Sequence, residues 1–71
     1  MSPRKGRVAN HIRDLRVARG LSQGALAEQV GATRQTINAI EQEKYAPSLE
    51  LAFRIALAFE VGFEEVWEFE E

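Results

Sequence analysis

Between Ser22 and Gln42 the chain reads SQGALAEQVGATRQTINAIEQ, and the spacing inside this stretch leaves few ways to fold it. Ser22 and Thr33 each stand just before a run with helical apolar spacing, where a side-chain oxygen can accept from an orphan backbone N–H and start a helix. The first run, Gln23 to Gln29, turns Leu26 and Val30 inward; the second, Arg34 to Gln42, turns Ile37 and Ile40 inward. Gly31 supplies the backbone freedom for a sharp turn, and the small Ala27 lets the two helices approach. Two short helices are thus predicted to meet at a three-residue corner, Val30 to Ala32, and the second opens on polar side chains, Arg34, Gln35 and Thr36.

The remaining elements fit around that corner. Ile12, Leu15, Arg16 and Arg19 recur at helical spacing, and Gly20 offers a left-handed stop, so a helix is predicted from about residue 10 to 19. Pro47 punctuates the loop EKYAPS, and Ser48 can cap a further helix from Leu49 to about Phe59. In that helix only Glu50 and Arg54 are polar, which predicts a segment enclosed on most sides. Gly62 is expected to end it and to open a short helix at Phe63 to about Trp67, with Glu64 and Glu65 where the helix dipole favours anions. Aromatic and acidic residues alternate in VWEFEE, which suggests a short strand pairing with Arg7 to Ala9. Gly24 costs the corner's first helix about 1 kcal/mol relative to alanine.

Charge is informative through its distribution. The net value is −2, yet six of the eleven acids lie in the last twelve residues; before residue 60, nine basic residues face five acids. A basic working surface and an acidic end held away from it are expected. The division predicted is a basic arm over 1–9, a domain over 10–67 and an acidic tail over 68–71. At 71 residues the chain buries only about 60% of its unfolded surface, which makes assembly with a second copy an attractive remedy. It has no cysteine and no apolar run of membrane-spanning length, and no hydrophobic stretch of signal-peptide length follows MSPRKGR. A cytoplasmic protein with no membrane partner is expected.

Catalysis finds no support. The single His11 has no cysteine or carboxylate cluster at ligand spacing, no glycine-rich phosphate loop is present, and the adjacent pairs Glu64–Glu65 and Glu70–Glu71 point apart in a helix. Neither metal nor cofactor is expected. The five positions Gln23, Ala27, Gly31, Ile37 and Ile40 instead have helix-turn-helix spacing, in which the second helix offers its first residues to base edges in the DNA major groove.

LSQGALAEQVGATRQTINAIEQEKYAPSLELAFRIALAFEV resembles the phage repressor and Cro type of helix-turn-helix, the XRE family, and the likeness runs from residue 10 to about 67 through LSQ, LA, VG, RQTINAIE, PSLELA and EEVW. It departs at Gly24 and Ala25, where many relatives carry two acids. The resemblance implies an all-α, five-helix lambda-repressor-like domain that binds a palindromic double-stranded DNA operator as a homodimer and regulates transcription as a repressor. It also implies roles. Arg34, Gln35 and Thr36 would read bases, a division that suits their chemistry, since arginine can chelate guanine and glutamine adenine. Gln23 would touch a phosphate and brace the recognition helix, and Thr33, Asn38, Lys44 and Tyr45 would grip backbone oxygens. Arg16 and Glu41 would form an internal ion pair, while Arg4, Lys5 and Arg7 could supplement phosphate binding from an arm.

Phe63, Val66, Trp67 and Phe69 are expected to form the dimer interface, because the preceding helix already supplies most of a small interior. The competing reading is an antitoxin-like or adaptor protein whose C-terminal aromatic surface binds a second protein.

Overall fold

The computed structural model describes residues 6–71. A strand β1 (Arg7–Asn10) is followed by helices α1 (Ile12–Ala18), α2 (Gln23–Val30), α3 (Arg34–Glu41), α4 (Leu49–Phe59) and α5 (Phe63–Val66), and the chain returns as β2 (Trp67–Glu70). The three hydroxyl caps form as their positions predict: Ser22, Thr33 and Ser48 accept from the backbone N–H groups of Ala25, Thr36 and Leu51. Gly31, at φ +74°, ends α2 in the left-handed conformation while the Ala32 N–H reaches back to the Ala27 carbonyl at 2.9 Å.

The core gathers Ile12 from α1, Leu26, Ala27 and Val30 from α2, Ile37 and Ile40 from α3, and Ile55 and Phe59 from α4. Burying each large aliphatic or aromatic side chain contributes about 1.5 to 3 kcal/mol, so the two isoleucines of α3 alone hold that helix firmly. β1 and β2 pair antiparallel, with Val8 opposite Phe69 and Asn10 opposite Trp67. The ribbon absorbs residues 7–9 of the predicted arm and most of the predicted acidic tail. Asn10 ties it to the helices: its amide donates to the Ile40 carbonyl at 2.8 Å and its oxygen accepts from the Ile12 N–H.

Two expectations need correction. α4 ends at Glu60, which takes the left-handed conformation at φ +58°, and not at Gly62; Gly62 has ordinary extended angles and serves only to open α5. Nor is α4 enclosed on most sides. Leu49, Phe53 and Leu57 remain exposed at 66%, 50% and 74%. Spaced four residues apart, they form one continuous outer stripe, whereas Ala52, Ile55, Ala56 and Phe59 face the core.

Gly24 occupies the first turn of α2 with ample room: a Cβ built there would lie 3.9 Å from the Ser22 hydroxyl and 4.0 Å from the Arg34 Cδ, both ordinary contacts. Gly24→Ala should therefore stabilise the protein by about 1 kcal/mol, seen as a raised midpoint in urea with unchanged slope.

Candidate nucleic-acid interface

The first turn of α3 faces solvent. Arg34 and Gln35 are exposed, and no hydrogen bond or ion pair engages either side chain among the described residues. Below them Ile37 is fully buried and Ile40 1% exposed, so an exposed, polar edge is mounted on a buried base. Thr36 is more confined: its hydroxyl lies 2.9 Å from that of Thr33, whose oxygen also caps the helix. The cap thereby sets where the three predicted reading residues begin.

Behind this edge lies the ion pair expected between Arg16 and Glu41. The Arg16 guanidinium donates to both carboxylate oxygens, at 2.8 and 3.2 Å, and to the Leu21 carbonyl at 2.9 Å. The side chains are only 13% and 6% exposed. The hydrogen bond to Glu41 raises the Arg16 pKa above its ordinary value, so the guanidinium stays charged. From Glu41 the network continues outward. The Gln23 amide nitrogen reaches Glu41 Oε1 and Asn38 Oδ1, both at 3.1 Å, and the Gln42 amide nitrogen reaches the same Asn38 oxygen at 3.1 Å. Gln23 does brace α3 against α2, but its amide hydrogens are spent inside the protein.

Lys44 and Tyr45 are exposed on the loop after α3, and the Lys44 side chain has no ion pair among the described residues. Arg7 is placed differently from its predicted role in a phosphate-binding arm. It pairs with Glu70 at 2.7 Å and Glu43 at 3.2 Å, chiefly the former raising its pKa, and it fastens the ribbon to the turn after α3. Arg4 and Lys5 lie outside the described residues. The sequence reading takes Gln42 only as the end of α3, although the four-residue spacing of Asn38 and Gln42 places them on one helix face.

The predicted interface residues separate. Val66 is fully buried and Trp67 only 6% exposed, its indole N–H donating to the Ala52 carbonyl at 3.1 Å; both belong to the chain's own core and would offer no surface to a second copy. Phe63 is half-buried and packs against the α4 stripe, its ring 4.8 Å from that of Phe53. Phe69 stays 65% exposed, on the ribbon. Among the described residues no helix is long and apolar enough to cross a membrane, and no cluster of potential metal ligands occurs.

The sequence profile of the family described as Helix-turn-helix (HTH_3) matches residues 12–66. The uncharacterized HTH-type transcriptional regulator YgzD of Bacillus subtilis is 48% identical over 62 residues, covering 87% of this chain and 94% of that protein. MJ0272 of Methanocaldococcus jannaschii, also described as an uncharacterized HTH-type transcriptional regulator, is 45% identical over 62 residues with the same coverage. Among solved structures, the restriction-modification controller protein C.AhdI of Aeromonas hydrophila superposes with a TM-score of 0.73 at 33% identity, over 76% of this chain and 82% of that one. The transcriptional regulator VanUg superposes with a TM-score of 0.80 over 100% of this chain and 96% of its own, at 22% identity, a likeness of fold.

Proposed function

Since this chain belongs to the helix-turn-helix family, a class of DNA-binding transcriptional regulators and not of enzymes, we propose that it acts in the cytoplasm as a repressor by inserting α3 into the major groove of a specific operator. The observation that carries this reading is the first turn of α3, where Arg34 and Gln35 stand exposed and unengaged above two buried isoleucines. Arg34 suits guanine O6 and N7, Gln35 suits adenine N6 and N7, and the Thr36 methyl suits thymine. Thr33, Lys44 and Tyr45 flank this edge and suit backbone oxygens, which position a protein without reading sequence.

The apolar stripe of α4 supports a homodimer. Leu49, Phe53 and Leu57, continued by Phe63, make a patch that a second copy can cover, and Glu50 and Arg54 beside it, 2.6 Å apart, supply both charges for a twofold partner. Such a pairing presents two α3 helices to successive major grooves, about 34 Å apart, on a palindromic site.

Selection from random duplexes, followed by titration at several salt concentrations, tests the reading. A palindromic site should emerge, with log affinity falling by about 0.9 per phosphate neutralised for each tenfold rise in salt. Arg34→Ala should cost about 1 to 3 kcal/mol on that site and relax preference at one base pair per half-site, whereas Lys44→Ala should weaken all duplexes alike. Failure to select any sequence, with no salt dependence, would point to the adaptor role.

A further inference from the structure

We propose that Gly24 is a specificity-determining residue: by leaving the space across the corner from Arg34 without a side chain, and above all without a carboxylate, it keeps the Arg34 guanidinium free for a base. The proposal rests on the reading above, in which Arg34 contacts a base pair, and names what on the protein holds that contact open.

Geometry ties the two positions together. Gly24 is the second residue of α2 and Arg34 the first of α3. A Cβ built on Gly24 would lie 4.0 Å from the Arg34 Cδ and 3.9 Å from the Ser22 hydroxyl. A side chain at position 24 would therefore start out beside the stem of Arg34. A methyl group fits there at ordinary contact distance, so crowding does not call for glycine. Nor does the backbone, since Gly20 and Gly31 are the glycines with positive φ among the described residues.

The charge pattern agrees. A helix dipole favours an acid in the first turn, and α1 carries Asp14 there, α4 Glu50, and α5 Glu64 and Glu65. The two helices that meet at the corner, α2 and α3, carry none. Position 24 thus forgoes both helix propensity and the charge that the dipole prefers, at a spot where an acid would meet Arg34. Departures of this kind from local preference gather at functional sites.

The physical reason is competition for one set of donors. Glutamate at position 24 would carry its carboxylate carbon two bonds beyond the Cβ, and the guanidinium carbon of Arg34 lies two bonds beyond its Cδ, so the two groups can meet. A guanidinium fork grips a carboxylate with the planar, two-pronged geometry it uses on guanine O6 and N7, and the same N–H groups cannot hold both. With glycine in place, the Arg34 side chain has no hydrogen bond or ion pair among the described residues.

The test uses the selected duplex and duplexes changed at the base pair that Arg34→Ala identifies. Gly24→Glu should lower discrimination at that pair about fivefold, the strength of a good exposed ion pair, and leave discrimination elsewhere in the site unchanged. Added salt should restore part of it, because an exposed ion pair is screened, even as overall affinity falls. The melting temperature should hold or rise, since glutamate suits the first turn of α2; damage to the fold could not give that combination. Gly24→Gln, of equal length without the charge, and Gly24→Ala should keep the parent's discrimination. In an Arg34→Ala background Gly24→Glu should change discrimination no further. Parental or sharper discrimination in Gly24→Glu, or an equal loss in Gly24→Gln, would overturn the role of Gly24 while leaving base reading intact. Should Arg34→Ala leave every base preference unchanged, the underlying reading falls first, before any change at position 24 is made.

Discussion

Arg16→Ala should lower the free energy of unfolding by about 3 to 5 kcal/mol, enough to leave so small a domain largely unfolded at 37 °C. The reason is what remains behind. The Glu41 side chain is 6% exposed, and without the guanidinium its carboxylate keeps, among the described residues, only the Gln23 amide for company, a buried charge with no counter-ion. The Leu21 carbonyl would also lose its donor from Arg16, loosening the turn that leads into α2. Urea denaturation followed by circular dichroism measures the loss, and a variant within 1 kcal/mol of the parent would show the pair to be dispensable. Arg16→Ala with Glu41→Met should recover much of the stability, because no charge is then stranded. The pH dependence has a definite sign. Folding raises the Arg16 pKa, so its contribution is complete below the ordinary guanidinium value and is lost only as pH climbs through the raised one; moderate alkali should leave it intact.

Phe53→Lys should give a monomer in sedimentation and weaken binding to a two-half-site operator by a factor on the order of 100 or more, while binding to a single half-site stays near that of the parent. Phe53 is half exposed in the protomer, so a lysine can reach water there without disturbing the core. In a twofold pairing across α4 the same position would bring two desolvated ammonium groups together. Trp67→Ser makes the contrast plain. The indole is buried and bonded to the Ala52 carbonyl, so that change should unfold the protomer and not merely separate two intact ones. If Phe53→Lys remains dimeric, the interface lies elsewhere, and the exposed Phe69 on the ribbon becomes the next surface to test.

Helix starts were legible in the chain because an N-cap is a local event: Ser22, Thr33 and Ser48 need only their own next residues to act. The corner was legible for a similar reason, since Gly31 and the small Ala27 have steric roles that few residue types fill. The surroundings of α4 were not. Nine apolar residues in eleven say that a helix is hydrophobic, yet not which of its faces its own chain will cover, and the stripe at 49, 53 and 57 is the face left over.

Alternation in WEFE correctly put Trp67 and Phe69 on one side of a strand, but two residues advance a strand by about 6.6 Å. That step carries Phe69 beyond the helical body that covers Trp67. The left-handed Glu60 was hidden because the pattern points to glycine, and Glu60 is not one. At the candidate site, the polar edge of α3 could be read from spacing, whereas the orientation of Asn38 depends on a carboxylate and two amides that meet only in three dimensions.

The ribbon joins parts of the chain that are almost as far apart in sequence as they can be: Arg7 meets Glu70 across 63 positions. The corner of α2 and α3, by contrast, closes across 15 positions, from Gln23 to Asn38. Closing a long loop costs more entropy before any contact repays it, so the helices are expected to collapse early and the strands to pair late. Reversed in time, the ribbon is where opening is expected to begin. It is a clasp whose release would uncover Trp67 and free the Arg7 tether from the turn behind α3.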